Sequence, residues 1–234
     1  MSEQAAVIAA ANTKGGCGKS TTIIILAGEY ASQGYRVHII DTDPKKRLAK
    51  WGAANVKPKA ITVSEATSAN MRDEIEKAKR NADVVLIDVE GSANAALTLA
   101  VAYANLVIIP ANISPPDVED GLATIKLVQD MAHAARRPIP YGFLWSNVPP
   151  AIRSREMVNL ENQVAEAGLP VIGRVFQRTA FSSMFSFQTT LDELPPAEVS
   201  GLDKAKADAS RLTDAIDLLI NPQATTSTSE ESAA

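Results

Sequence analysis

Two lysines bracket a glycine pair near the start of the chain, in Asn12-Thr13-Lys14-Gly15-Gly16-Cys17-Gly18-Lys19-Ser20-Thr21-Thr22. The stretch follows an apolar run, Ala5 to Ala11, and opens an apolar helical pattern, Ile23 to Ala31. A glycine-rich turn between a strand and a helix aims backbone N–H groups and the positive end of a helix dipole at one spot, which suits a phosphate. Gly15, Gly16, Cys17, Gly18 and Thr21 then line the cradle. In phosphate-loop logic Lys19 would reach the β- and γ-phosphates, and the Ser20 hydroxyl would coordinate Mg²⁺. The usual phosphate-loop pattern asks for glycine at position 13. This chain has Thr13 there and adds a second lysine, Lys14.

Three further segments fall at or just beyond the ends of apolar strands, where open α/β sheets bind ligands. The first is Ile39-Ile40-Asp41-Thr42-Asp43-Pro44, and the second runs from Val84 through Asp88 to Gly91. An acid closing an apolar strand can hold a Mg²⁺-bound water, which makes Asp41 and Asp88 candidates for the metal shell. The Asp88-to-Gly91 spacing also lets the Gly91 N–H sense a γ-phosphate. The third is Phe143-Leu144-Trp145-Ser146-Asn147, where Asn147 could meet an adenine edge.

Alternating apolar strands and amphipathic stretches must position these residues. Strands are expected at Ala5–Ala11, Arg36–Asp41, Ala60–Val63, Asp83–Asp88, Leu106–Pro110, Tyr141–Trp145 and Val171–Val175. Helices are expected near 19–33, 45–55, 68–81, 92–104, 115–135, 153–168 and 198–220. That alternation predicts an α/β fold, a mostly parallel central sheet with helices on both faces. Ser114 can cap a helix that begins Pro115-Pro116-Asp117. The last helix carries Leu202, Ala205, Ala209, Leu212, Ile216 and Leu219 as one apolar stripe. We expect one domain over residues 1–220 and a polar, disordered tail over 221–234.

Composition narrows the function classes. Of 234 residues 46% are hydrophobic and 21% charged, enough for one buried core. The net charge is −4, so contact with nucleic acid has to come from a local patch, and 5% aromatics argue against a base-stacking platform. One cysteine leaves no internal disulfide and no Cys-rich metal site, and suits a reducing cytoplasm. The N-terminus lacks signal-peptide character, and no apolar run is long enough to span a membrane.

Each motif also has a plainer reading. Lys14 can be a solvated loop lysine and Asp43 a turn-former before Pro44. Cys17 is a small residue at a variable loop position. His38, Trp51 and Trp145 read as packing residues, His133 as a helix-surface residue.

Lys14-Gly15-Gly16-Cys17-Gly18-Lys19-Ser20 resembles the deviant Walker A loop of the ParA/MinD ATPases, and Asp41-Thr42-Asp43-Pro44 resembles their DxDP switch. Leu48-Ala49-Lys50-Trp51 and Arg178 to Phe185 resemble the small ParA branch that includes the T-DNA transfer ATPase and orphan partition proteins. The resemblance spans Ala5 to Ile220. It implies a homodimer closed over ATP and Mg²⁺, with Lys14 of each subunit reaching the other's phosphates. Such a trans-supplied cation acts like an arginine finger, whose effect on rate is ~10³–10⁵-fold. Asp43 then orients the attacking water, and Asp41 and Asp88 support the metal through water, so the catalytic residues implied are Lys14, Lys19 and Asp43. Where the family usually has Gln after the switch proline, this chain has Lys45.

The implied function is a weak, cytoplasmic, nucleoid-associated bacterial ATPase that positions a cargo. It would bind double-stranded DNA non-specifically in the ATP state and be stimulated by a ParB-like or cargo-adaptor protein, with no membrane role. Arg153, Arg155, Arg174, Arg178, Lys204, Lys206 and Arg211 are the candidate DNA contacts. The alternative is a metabolic P-loop ligase or small-molecule kinase, which would need an added substrate pocket.

Overall fold

The computed structural model describes residues 5–54, 57–91, 95–151 and 154–221. Seven parallel strands form one sheet in the order β3-β2-β4-β1-β5-β6-β7. They are β1 (Ala6–Ala10), β2 (Val37–Asp41), β3 (Ile61–Glu65), β4 (Val84–Asp88), β5 (Leu106–Asn112), β6 (Tyr141–Val148) and β7 (Val171–Phe176). The helices are α1 (Lys19–Ser32), α2 (Arg47–Gly52), α3 (Met71–Asn81), α4 (Ala95–Tyr103), α5 (Pro115–Ala135), α6 (Arg155–Glu166), α7 (Thr179–Ser186) and α8 (Leu202–Ile220).

A parallel sheet covered on both faces needs strands that are apolar on both faces, and the central strands are. On β1, Val7 and Ala9 enter one core while Ile8 and Ala10 enter the other; on β4, Val85 and Ile87 oppose Val84 and Leu86. The first core is closed by residues of α3, α4, α5 and α6, the second by residues of α1, α7 and α8. Helix α1 lies deep, with Ile23, Ile24, Ile25, Leu26 and Ala27 all essentially inaccessible. A helix apolar over most of its circumference is a buried helix. The α8 stripe is confirmed from Leu202 to Ile216, and the Tyr30 hydroxyl ties α1 to α8 by donating to Asp217 Oδ1 at 2.8 Å.

The expected elements are present with shifted ends. Helix α2 starts at Arg47 because the preceding turn is pinned to Asp41, and α8 starts at Leu202, after Gly201 in the left-handed region (φ 73°). Strands β5 and β6 run on to Asn112 and Val148, which carries their ends beside the glycine loop after β1. Helix α7 and the short 3₁₀ turn Leu191–Glu193 were not expected from the sequence. Ser114 caps α5 as expected, its hydroxyl accepting from the Asp117 N–H at 3.4 Å. Residues 222–234, nearly all of the expected tail, and Arg153 lie outside the described residues. No helix among the described residues is long and apolar enough to cross a membrane.

Candidate nucleotide site

The turn from β1 into α1 sits at the carboxyl edge of the sheet, with β4 and β5 on either side of β1. Gly18 has φ 97°, and a Cβ there would meet Ser146 Cβ and Oγ at 3.0 Å, so only glycine fits both the backbone and the space. Gly91 is pressed on the loop from the other side: a Cβ there would meet Gly15 N and the Lys14 carbonyl at 3.0 Å. The Asp88-to-Gly91 turn and the glycine pair are therefore in direct backbone contact.

Lys19 is 8% exposed, and its ammonium lies on the loop's own carbonyls, 2.6 Å from Lys14 O and 3.0 Å from Asn12 O. The Cys17 thiol is wholly buried beneath the loop, and burial pushes it up, away from thiolate. Ser20 Oγ donates to Asp88 Oδ2 at 2.6 Å, while Asp88 Oδ1 is buried with no hydrogen-bond partner among the described residues. An orphaned buried carboxylate oxygen is costly, and burial raises Asp88 to about 7, with Ser20 and Lys19 pulling it back and Asp41 pushing it further up. A hydroxyl and a half-satisfied carboxylate form a hard oxygen donor set, which fits a divalent cation such as Mg²⁺.

Asp41 ends the neighbouring strand at the same level but is differently employed. Its Oδ1 accepts from the Asp43 N–H and its Oδ2 from the Leu48 and Ala49 N–H groups, all at 2.9 Å. Here it clamps the switch loop and the start of α2. Asp43 lies half-buried beyond it and accepts from the Lys45 N–H at 2.9 Å. Asp43, Asp88, Lys19, Ser20 and Gly91 share a cavity of about 410 Å³.

Lys14 does not point into that cavity. Its ammonium pairs with Asp117 in the first turn of α5, whose carboxylate also accepts from Ser114 Oγ at 2.9 Å and Asn112 Nδ2 at 2.7 Å. Burial alone would raise Asp117, but the hydrogen bonds from Lys14, Ser114 and Asn112 together hold it below the usual carboxylate range. Asp117 and Asn112 were missed in the sequence. They lie about a hundred residues from Lys14, and no local pattern links the two.

A second cavity, of about 650 Å³, adjoins the loop at Gly16, Gly18 and Thr21 and runs between the ends of β6 and β7. Asn147 is on its wall, exposed and left-handed (φ 53°) where β6 slips register against β7. Phe176, Phe181 and Phe185 line it too, giving an aromatic and apolar wall that fits a base better than a phosphate.

The candidate DNA contacts do not gather into one unpaired patch. Arg178 and Arg211 both pair with buried Asp208, Lys206 pairs with Asp192 at 2.7 Å, and Arg174 with Glu161 at 2.8 Å. Arg178 also lies 5.5 Å from the centre of the Phe176 ring, facing the second cavity. Arg155 and Lys204 are exposed, with no ion pair among the described residues. The plainer readings are met elsewhere. Trp51 and Trp145 are buried, Trp51 donating to Met184 O at 3.0 Å. His133 is exposed, and His38 bridges Thr62 and Ser64 hydroxyls at 2.8 and 2.9 Å.

A family model described as VirC1 protein matches residues 5–212. Protein ParA of Rhizobium radiobacter is 31% identical over 219 residues, 90% of this chain and 99% of that protein. The chain belongs to the ParA/MinD family of P-loop ATPases. Within that family it is also similar to the maintenance of carboxysome distribution protein A of Halothiobacillus neapolitanus, 25% identical over 76% of this chain and 82% of that protein. Among solved structures, an ATP complex of a McdA variant from Cyanothece superposes with a TM-score of 0.73 at 15% identity, covering 92% of this chain and 97% of that one. At that identity the likeness establishes the ParA-type fold alone.

Proposed function

We propose that this ParA-family chain is an ATP-driven positioning switch: ATP and Mg²⁺ close two copies on each other, and the closed pair holds non-specific DNA. A partner protein on the cargo then speeds hydrolysis and release. The observation that carries the reading is the placement of Lys14. It sits at the mouth of a complete phosphate loop, beside Lys19, Ser20 and Asp88, yet turned away from the cavity and onto Asp117. A cation outside its own site can serve a neighbour's.

In this reading Lys19 leaves the loop carbonyls for the phosphate oxygens, and the loop amides from Gly15 to Thr21 bind the remainder. Ser20 and, through water, Asp88 hold Mg²⁺, which neutralises phosphate charge when bound. The other carboxylate oxygen of Asp43 orients the attacking water at the edge of the cavity, and Gly91 closes the opposite wall. Asn147 and the phenylalanine wall receive the adenine. Exposed Arg155 and Lys204, on helices over opposite faces of the sheet, contact DNA, and a dimer doubles so few contacts, making binding depend on ATP through avidity. A relative named for maintenance of carboxysome distribution supports a cargo-positioning role without identifying the cargo.

The test is light scattering and DNA retention of the full chain with ATP or ADP, beside Lys14→Gln. The reading expects dimers and DNA binding with ATP alone, both lost in the variant, with DNA affinity falling steeply with salt. Equal DNA affinity with ATP and ADP would sink it. So would ATP consumption that depends on a small metabolite and ignores DNA.

A further inference from the structure

Lys45, Lys46 and Arg47 follow the switch proline, a run of three cations that the proposed mechanism leaves unused. Lys46 is already committed: it is left-handed (φ 52°) and pairs with Glu65 on β3. Lys45 and Arg47 are exposed, have no ion pair among the described residues, and both line the 410 Å³ cavity that holds Lys19, Ser20 and Gly91. They enter it from the switch wall, the side of Asp43, and not from the phosphate loop.

The segment that carries them is tethered. The Lys45 N–H donates to Asp43 Oδ1 at 2.9 Å, and the Lys46 N–H to the Asp43 carbonyl at 2.7 Å. One residue past Arg47, Asp41 holds the Leu48 and Ala49 N–H groups. Two cations on an anchored turn lose less entropy on meeting an anion than two on a free loop. With Lys19 they give the cavity three positive side chains against the carboxylates Asp43 and Asp88. That balance leaves the cavity net positive and suits an anion. An arginine fork can take two phosphate oxygens at once, and a lysine adds a compact point charge.

We propose that Lys45 and Arg47 form a phosphate clamp within a single chain, reading the γ-phosphate from the switch wall and so telling ATP from ADP before a second copy arrives. This rests on the nucleotide reading above and adds a cation source in cis to the one in trans. Lys45 stands where the resemblance has glutamine.

The test measures binding of fluorescent ADP and of a fluorescent, slowly hydrolysed ATP analogue, with Mg²⁺, on the full chain. A Lys14→Gln background keeps the measurement to one chain. In that background, Lys45→Gln with Arg47→Gln should weaken the ATP analogue about tenfold or more, the worth of a charge-assisted hydrogen bond, and leave ADP within about twofold. Both side chains are exposed, so the thermal midpoint should stay put and report intact folding. Equal losses for both nucleotides would overturn the clamp, since the cations would then serve the inner phosphates. Unchanged nucleotide affinity with weakened DNA retention would overturn it too, assigning them to DNA. A Lys19→Ala control separates the two readings. If it abolishes binding while the clamp variant binds normally, the clamp alone fails; if it binds normally, the nucleotide reading fails with it.

Discussion

Asp41 and Asp88 close neighbouring parallel strands, pair with each other in register, and are each 2% exposed. Their oxygens are used in opposite ways. Asp41 accepts three backbone N–H groups and holds the switch turn on the sheet; Asp88 keeps one oxygen satisfied by Ser20 and one with no partner among the described residues. Burial raises both carboxyls, but backbone donors pull Asp41 back, whereas Asp88 is carried to about 7. Two acids alike in sequence context and depth are thus told apart by what the backbone offers each of them. One has its oxygens taken up by the frame, and the other keeps an oxygen open among the described residues.

The largest effect that tests this contrast is on Asp88→Asn. Metal-dependent nucleotide binding and turnover should fall by ~10–100-fold, the usual cost of losing a group that holds a metal's water. Turnover and Mg²⁺ titration check it, and retention of both would place Asp88 beside Asp41 as structure. The same variant should change stability with pH. A carboxyl raised to about 7 when folded, against ~3.9 unfolded, makes the folded chain carry the extra proton between those values. Stability without nucleotide or metal therefore falls as pH rises through that window, by at most ~1.4 kcal/mol per unit. In Asp88→Asn, urea unfolding at pH 5 and pH 8 should show that slope reduced. An unaltered slope would mean that Asp88 is ionised throughout.

Asp41→Ala is the reverse case. Removing the acceptor strands the Leu48, Ala49 and Asp43 N–H groups, at a cost of about 2–3 kcal/mol. For a chain of this size that is on the order of 5–10 °C in melting temperature. A melt decides it. An unchanged midpoint together with weaker Mg²⁺ affinity would return Asp41 to the metal shell, where the sequence alone had put it.

That sequence reading was strong where chemistry is local and weak where it depends on donors far along the chain. The loop from Lys14 to Thr21, the alternation of strands and helices, and the cap at Ser114 are all carried by neighbouring residues, and the structure bears out the fold. The division of labour between Asp41 and Asp88 was not legible, because the deciding partners are the amides of a turn whose shape is itself a tertiary outcome. Helix α7 was missed because Thr179 to Ser186 has short, mixed polar and aromatic spacing that only the packing of Ala180, Phe181 and Met184 against the second core makes helical. The basic residues of the last third looked like a patch until Asp208, Asp192 and Glu161 were placed beside four of them.

Asp117 is the third buried carboxylate of the site and has the smallest expected effect. Unlike Asp88 it is fully engaged, by Lys14, Ser114 and Asn112, and unlike Asp41 its chief partner is a side-chain charge and not the backbone. Its folded value is depressed, so its contribution has the opposite sign to that of Asp88. The stabilisation is present above the unfolded value of ~3.9 and is lost as pH falls through the lower folded one. Asp117→Asn should therefore cost about 1 kcal/mol at pH 7, leave the slope between pH 5 and pH 8 as in the unaltered chain, and blunt the loss of stability below pH 4. Urea unfolding at pH 3, 5 and 8 separates the two acids. A change in the slope above pH 5 would mean that releasing Lys14 alters the surroundings of Asp88, joining two sites that the structure keeps apart.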